Sequence, residues 1–352
     1  MADRSAIEWT DATWTPIRAR TRSGKIGWHC EHVSEACRNC YAEGINRRLG
    51  TGLTFKPGHL ARGDISLFLD EAMLNWPLRW RKPRMVFVCS MTDLFADFVR
   101  DKWIDRIFAV MALCPQHTFQ VLTKRPKRMR EYLTQIDREP QRETVWRMAS
   151  AMPLHPWPPF KEIRFPLANV WLGVSVEDQA TADARIPNLL ATPAAVRFIS
   201  YEPALGPVDF SRWLPIAPRG QGWEQVKCEA AYGEKRPRID WIIAGGESGP
   251  NARPANPNWF RAVRDQCHAA GVAFRLKQWG EWMPRRDAHE AGIIPADVRF
   301  PWGRCQPDMA RVGKKRAGRL LDGKEHNGFP MTRAFKDFEH FPTELQVRET
   351  PQ

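Results

Sequence analysis

Val170-Trp171-Leu172-Gly173-Val174-Ser175 is a run of apolar and β-branched residues with one glycine and no charge. A near-continuous apolar run of this length suits a strand covered on both faces, as in a parallel sheet. Runs of the same kind recur on either side of it. They are Met85-Val86-Phe87-Val88-Cys89-Ser90, Thr118-Phe119-Gln120-Val121-Leu122, Val196-Arg197-Phe198-Ile199-Ser200, Trp241-Ile242-Ile243-Ala244 and Val272-Ala273-Phe274-Arg275-Leu276, with Thr13-Trp14-Thr15-Pro16-Ile17 as a first member. Helical patterns fall between them. Asp101–Cys114 carries apolar residues at helical spacing, Lys127–Ile136 is basic, Gln179–Leu190 ends near Pro193, and Asn258–Ala270 stops at Gly271, a residue suited to a helix C-terminus. Strand and helix alternating in this way predict right-handed parallel units. Six or seven such units imply an α/β fold, a full or partial (β/α) TIM-like barrel, with an open doubly wound sheet as the alternative. No GxGxxG follows the first strand and no P-loop is present, so nothing favours a dinucleotide-binding sheet.

The 352 residues suffice for one barrel-sized domain. Residues 1–285 read as that barrel, with insertions at about 138–167 and 213–238, and residues 286–352 as a C-terminal extension carrying the basic Gly313-Lys314-Lys315-Arg316. The polar N-terminus lacks the apolar stretch of a signal peptide, and no segment approaches the roughly 18 apolar residues of a membrane span. The expected location is cytoplasmic. A net charge of +13 has two readings, a solvated surface or a polyanionic partner such as nucleic acid. The 16 Trp residues offer faces for base stacking or for the core.

Eight cysteines in a cytosolic protein do not suggest disulfides. Cys89, Cys114, Cys228, Cys267 and Cys305 are scattered and read as isolated thiols. The other three form Cys30-x6-Cys37-x2-Cys40-Tyr41. Three thiolates can hold three irons of a [4Fe–4S] cluster and leave the fourth open to a substrate or cofactor. Zinc is the competing ligand, with His29 or His32 completing a Cys3His site. Three unligated thiols are the bland alternative.

Polar residues follow the strands. Ser90, Thr92 and Asp93 follow one, Thr123, Lys124 and Arg125 the next, then Ser175, Glu177 and Asp178, then Ser200, Tyr201 and Glu202. The last two strands lead into Gly245-Gly246-Glu247-Ser248-Gly249 and Lys277-Gln278-Trp279. In a parallel barrel the functional face is the rim at the strand C-termini. Any one of these residues could be a helix cap or turn former. Six sets in register describe a cavity better than a zinc knuckle does. Gly245 and Gly246 would allow close backbone approach of a ligand, and Lys277 could bind a carboxylate or phosphate.

The opening Ile7-Glu8-Trp9-Thr10-Asp11-Ala12-Thr13-Trp14, the Cys loop with Tyr41-Ala42-Glu43, Ser90-Met91-Thr92-Asp93-Leu94-Phe95, Leu122-Thr123-Lys124-Arg125-Pro126, Trp171–Glu177, Glu202-Pro203, Gly245–Gly249 and Lys277-Gln278-Trp279-Gly280 form a specific combination. It resembles the phage-associated three-Cys-motif family of uncharacterised proteins. The resemblance covers about residues 5–285, with a weaker match at Gly318–Gly323. That family looks like a divergent branch of the radical S-adenosylmethionine superfamily. The resemblance implies a full or partial barrel and electron transfer from a [4Fe–4S] cluster to the sulfonium of S-adenosylmethionine. It implies that Cys30, Cys37 and Cys40 ligate the cluster and that Tyr41 packs by the adenine. Six residues separate Cys30 from Cys37, where the common superfamily pattern has three. The resemblance also implies a separately encoded partner protein.

Three functions follow as expectations. The first is a radical S-adenosylmethionine enzyme acting on nucleic acid or on a partner protein, with a cofactor pocket drawn from Tyr41, Ser90, Asp93, Lys124, Ser175, Glu177, Glu202, Gly245, Gly246, Glu247 and Lys277. The second is a zinc-stabilised nucleic-acid-binding protein without catalysis. The third is a metal-dependent nuclease using Asp93, Glu177 and Glu202.

Overall fold

The computed structural model describes residues 5, 7–136, 143, 147, 164–215, 237–303 and 306–330. The apolar runs form β1 (Ala12–Trp14), β2 (Met85–Val88), β3 (Thr118–Thr123), β4 (Val170–Val176), β5 (Val196–Tyr201), β6 (Trp241–Gly245) and β7 (Ala273–Gln278). All pair in parallel, and their spatial order is their chain order. A doubly wound sheet reverses its strand order at a switch point. Here each right-handed crossover steps the same way, so every crossover helix lies on one face and the other face is concave. The chain is therefore an α/β partial TIM-like barrel of seven strands, and the doubly wound alternative is excluded.

The first strand is shorter than the Thr13–Ile17 reading. Pro16 lacks an N–H and ends the parallel pairing. Ile17–Thr21 instead joins a separate antiparallel sheet with Ile26–Gly27 and Ile65–Leu69.

The helices are α1 (Tyr41–Leu49), α2 (Asp101–Leu113), α3 (Pro126–Ile136), α4 (Gln179–Leu190) and α5 (Pro257–Ala270). Prolines at the starts of α3 and α5 forgo only N–H groups that a helix leaves unpaired. Asp178 caps α4 by accepting the Thr181 N–H at 2.9 Å. Gly271 ends α5 in the left-handed conformation that the sequence predicts.

Alternation along each strand divides the core. Val86, Val88, Phe119, Val121, Leu172, Val174, Ile199, Ile242 and Leu276 pack outward against the helices. Phe87, Trp171, Phe198, Trp241 and Ile243 point inward and meet Trp9. The inward set changes along each strand: Trp171 gives way to Gly173 and Ser175, Phe198 to Ser200, and Trp241 to Ile243 and Gly245. The barrel is thus plugged by aromatics at its N-terminal end and left open and polar at its C-terminal end.

β1 and β7 do not pair. The segment before β1 bridges the gap, its Glu8 and Trp9 carbonyls accepting Arg275 (2.7 Å) and Gln120 (3.2 Å). A tail segment runs antiparallel to the free edge of β7, with the Leu276 N–H on the His326 carbonyl and the Gly328 N–H on that of Phe274. The Phe329 ring then lies 4.7 Å from that of Trp241.

After β7 the chain builds a small antiparallel sheet from Trp282–Pro284, Asp297–Arg299 and Met309–Arg311. A hairpin follows, docked on α5 where Arg261 and Arg264 grip Asp322. Most of the expected insertions, and Cys228 and Cys305, lie outside the described residues. Cys89, Cys114 and Cys267 are buried free thiols. No helix among the described residues is long and apolar enough to cross a membrane.

Gly173 makes room for the Phe198 ring: a Cβ there would lie 2.5 Å from it. Gly173→Ala should destabilise the fold by about 2 kcal/mol in urea denaturation. Adding Phe198→Leu should recover part of that loss, whereas an unchanged midpoint for the single variant would place the ring elsewhere.

Candidate functional site

The Cys loop, residues 30–40, connects the antiparallel sheet to α1 and lies across the C-terminal rim of the barrel. Five contacts pin it there. The His29 carbonyl accepts the Thr92 hydroxyl at 2.6 Å, and the Glu31 carbonyl accepts Arg125 at 3.2 Å. Ser34 donates to Glu177 at 2.8 Å, Asn39 donates to Glu247 at 3.0 Å, and the Tyr41 hydroxyl donates to the Ser90 carbonyl at 2.8 Å.

The three cysteines are half-buried. Cys37 closes a single 3-10 turn, and Cys40 stands at the N-cap of α1. A sulfur at a helix start meets unpaired N–H groups. Burial raises the Cys40 thiol pKa, and the Glu43 and Ala42 N–H groups oppose that rise. Burial also acts to raise Cys37, but the Lys124 charge and the Val33 and Ser34 N–H groups outweigh it, and its pKa is lowered. Cys30 is pushed up to about 12 by burial and by Asp93, with Arg125 opposing.

Beside Cys37 the ends of β3 and β4 meet. Glu177 has 1% of its side chain exposed and pairs with Lys124 at 2.8 Å and Arg185 at 3.1 Å. Lys124 also lies 3.3 Å from the Ser34 hydroxyl and 3.6 Å from the Cys37 sulfur. Burial works against ionisation of Glu177, but Lys124 and Arg185 overcome it and hold the pKa at about 2, against an ordinary 4.5. Ser175 is buried, and its carbonyl accepts Arg185. Asp93 sits behind this group. It accepts the Thr123 hydroxyl (2.7 Å), the Lys124 N–H (3.0 Å) and Arg125 (3.1 Å), and so sets the direction in which Lys124 leaves β3.

The opposite side of the rim holds a second group. Glu202 accepts Lys277 at 2.8 Å and Gln278 at 3.0 Å, and a Cβ on Gly245 would lie 3.2 Å from its carboxyl carbon. Glu247 is gripped by the Arg253 N–H and guanidinium, and Arg253 reaches the Glu35 carbonyl in the Cys loop. Gly246 is needed by the protein's own backbone, because a Cβ there would meet the Trp279 carbonyl at 2.0 Å.

The expected residues therefore fall into two clusters joined by the loop, with Tyr41 half-exposed beside Cys40 and Asp93 as a buried support. Ser34, Asn39, Arg185 and Arg253 were not anticipated. Arg185 had a legible signal: it shares the buried face of α4 with Ala182, Ile186 and Leu189, and a cation on an apolar face requires a partner. The other three had none.

Asp93, Glu177 and Glu202 each pair with a different cation. Among the described residues no three of His, Cys, Asp and Glu are arranged to hold one metal ion. His32 is held by Glu43 at 2.9 Å, and His29 faces Glu31, Phe98 and His59. One zinc ion would need sulfurs at about 2.3 Å from a common centre. A cluster asks for less convergence, because three thiolates carried on one loop could each take a different iron.

The family described as "Protein of unknown function (DUF5131)" matches residues 4–330. No curated protein matches the chain. Similar solved structures include spore photoproduct lyase complexed with dinucleoside spore photoproduct, at 9% identity and a TM-score of 0.31, covering 80% of this chain and 66% of that one. A cysteine-to-serine mutant of that lyase matches at 10% identity and a TM-score of 0.36, covering 90% and 72%.

Glu177→Gln would leave Lys124 and Arg185 facing a neutral amide. It should cost about 3 kcal/mol of stability at pH 7. Because the folded pKa lies below the unfolded one, this contribution is complete above about pH 4.5 and fades as the pH falls towards 2. Denaturation of both proteins across pH 3–7 should show the difference narrowing on the acid side, and a constant difference would refute the ion-pair account.

Proposed function

The chain belongs to the DUF5131 family of proteins of unknown function, and we propose that it is an iron–sulfur enzyme of the radical S-adenosylmethionine type. One observation carries this reading: Cys30, Cys37 and Cys40 share a loop pinned over the open, polar end of a half-barrel whose other end is sealed by aromatics. These three thiolates would hold a [4Fe–4S] cluster and leave one iron without a protein sulfur. When bound, the cluster and S-adenosylmethionine supply one-electron reduction of a sulfonium and hydrogen abstraction from a substrate.

The chain's own residues prepare for that chemistry. The Lys124 ammonium faces the Cys37 sulfur, and the N–H groups of Val33, Ser34, Ala42 and Glu43 support the thiolates. Positive charge and hydrogen bonds at ligand sulfurs favour the reduced state of a cluster. Glu202 and Glu247 offer acceptors for an ammonium group, and Lys277 and Arg253 offer donors for a carboxylate. Tyr41, anchored through its hydroxyl, presents a fixed ring to an adenine.

Protein purified and reconstituted without oxygen should take up about four irons per chain, show a cluster EPR signal after reduction, and release 5′-deoxyadenosine from S-adenosylmethionine. Cys30→Ala, Cys37→Ala and Cys40→Ala should each abolish that signal. One tight zinc per chain and no iron uptake would refute the assignment. Lys124→Met should keep the iron but lower the reduction potential by on the order of 50 mV in a redox titration. An unchanged potential would remove Lys124 from the cluster's surroundings.

A further inference from the structure

The antiparallel sheet that leads into the Cys loop has an outer face that the cluster reading does not use. Ile17 and Ala19 turn inward and are buried, so Arg18 and Arg20 turn outward. In register beside them stand Phe68, opposite Arg18, and Ser66 and Ile26, opposite Arg20. The Arg18 guanidinium lies 4.6 Å over the Trp28 ring and that of Arg20 lies 4.8 Å over Phe68. Arg20 is exposed on this face, whereas the half-buried Arg18 also donates to the Gly27 carbonyl at 3.1 Å.

Charge accumulates at this face. Residues 17–28 hold Arg18, Arg20, Arg22 and Lys25 and no acid. The last turn of α1 adds exposed Arg47 and Arg48, brought alongside where Asn46 accepts the Trp28 N–H at 2.9 Å. Among the described residues none of these six cations is in a salt bridge, although Arg18 donates to the Gly27 carbonyl and Arg22 to the Arg62 and Gly63 carbonyls. Trp28 packs in the same small cluster as Cys30 and Cys40, so the face runs up to the rim.

We propose that this face binds single-stranded nucleic acid, DNA or RNA. Arg18 and Arg20 stand about 6.8 Å apart along the strand, a spacing suited to successive phosphates of an extended chain. The exposed Arg20 guanidinium, backed by Phe68, offers a plane on which an unpaired base stacks. A duplex keeps its bases stacked inside and has no use for such planes. A membrane would call for a cluster of apolar residues to insert, and Ile26 and Leu49 are the exposed large apolar residues among these cations. This proposal names a substrate class for the enzyme above, yet stands on charge and ring placement alone.

Fluorescence anisotropy of the full chain with labelled 20-nucleotide single-stranded DNA and RNA tests it, with unlabelled duplex and polyglutamate as competitors. Binding should be saturable and weaken steeply with salt, and the tighter of the two strands identifies the natural ligand. The triple variant Arg20→Ala/Arg47→Ala/Arg48→Ala should bind at least tenfold more weakly and flatten the log–log salt slope by about 2. Phe68→Leu should weaken binding with the slope unchanged. Arg286→Ala/Arg299→Ala, in the C-terminal region after β7, should bind like the parent. Melting temperatures establish that each variant is folded. No saturable binding, a triple variant that binds like the parent, or duplex or polyglutamate competing as well as single strands would overturn the proposal. Iron does not enter this assay, so its failure is distinct from failure of the cluster assignment.

Discussion

The buried carboxylate of Glu177 is the interaction on which the rim depends. It stands at the end of β4, almost without solvent, and binds Lys124 from β3, Arg185 from α4 and Ser34 from the Cys loop. Removing an ion from water is costly, and only close, well-satisfied partners offset it. Two cations and a hydroxyl meet that requirement here. The same contacts fix where Lys124 points and hold the loop over the barrel mouth. On the far side Glu247 does comparable work through Arg253 and Asn39.

This arrangement needs a barrel that is sealed below and open above, and the strands provide it by changing what they point inward. Large rings fill the N-terminal end, where Trp9, Phe87, Trp171, Phe198 and Trp241 meet. Towards the C-terminal end the same inward positions become Gly173, Ser175, Ser200 and Gly245. Small residues leave space that large ones would fill, so the cavity and its floor arise from one alternating pattern. The unpaired edges of β1 and β7 are bridged by residues 8–9 and 326–328, which spares the sheet an exposed edge at the gap.

Much of this was legible beforehand. Apolar runs and helical spacing located all seven parallel strands and four of the five principal helices, because burial on both faces leaves a plain trace in residue type. The split at Pro16 was visible in principle, since proline cannot continue the pairing. The Cys triad and the polar strand ends were also legible, because both are local in sequence. What was not legible were the partners. Ser34 and Glu177 are 143 residues apart, and Asn39 and Glu247 are 208 apart, and neither serine nor asparagine in a loop announces a distant carboxylate.

The sequence alone determined the strand-and-helix order, the three clustered thiols and the basic excess, each a matter of local pattern or composition. Tertiary structure alone decided that the strands add in one direction, that the loop crosses the rim, and that each acid there meets its own cation. The physical reason is that pairing order and ion-pair choice depend on distances between remote segments. Those distances exist only once the chain has closed around its aromatic floor.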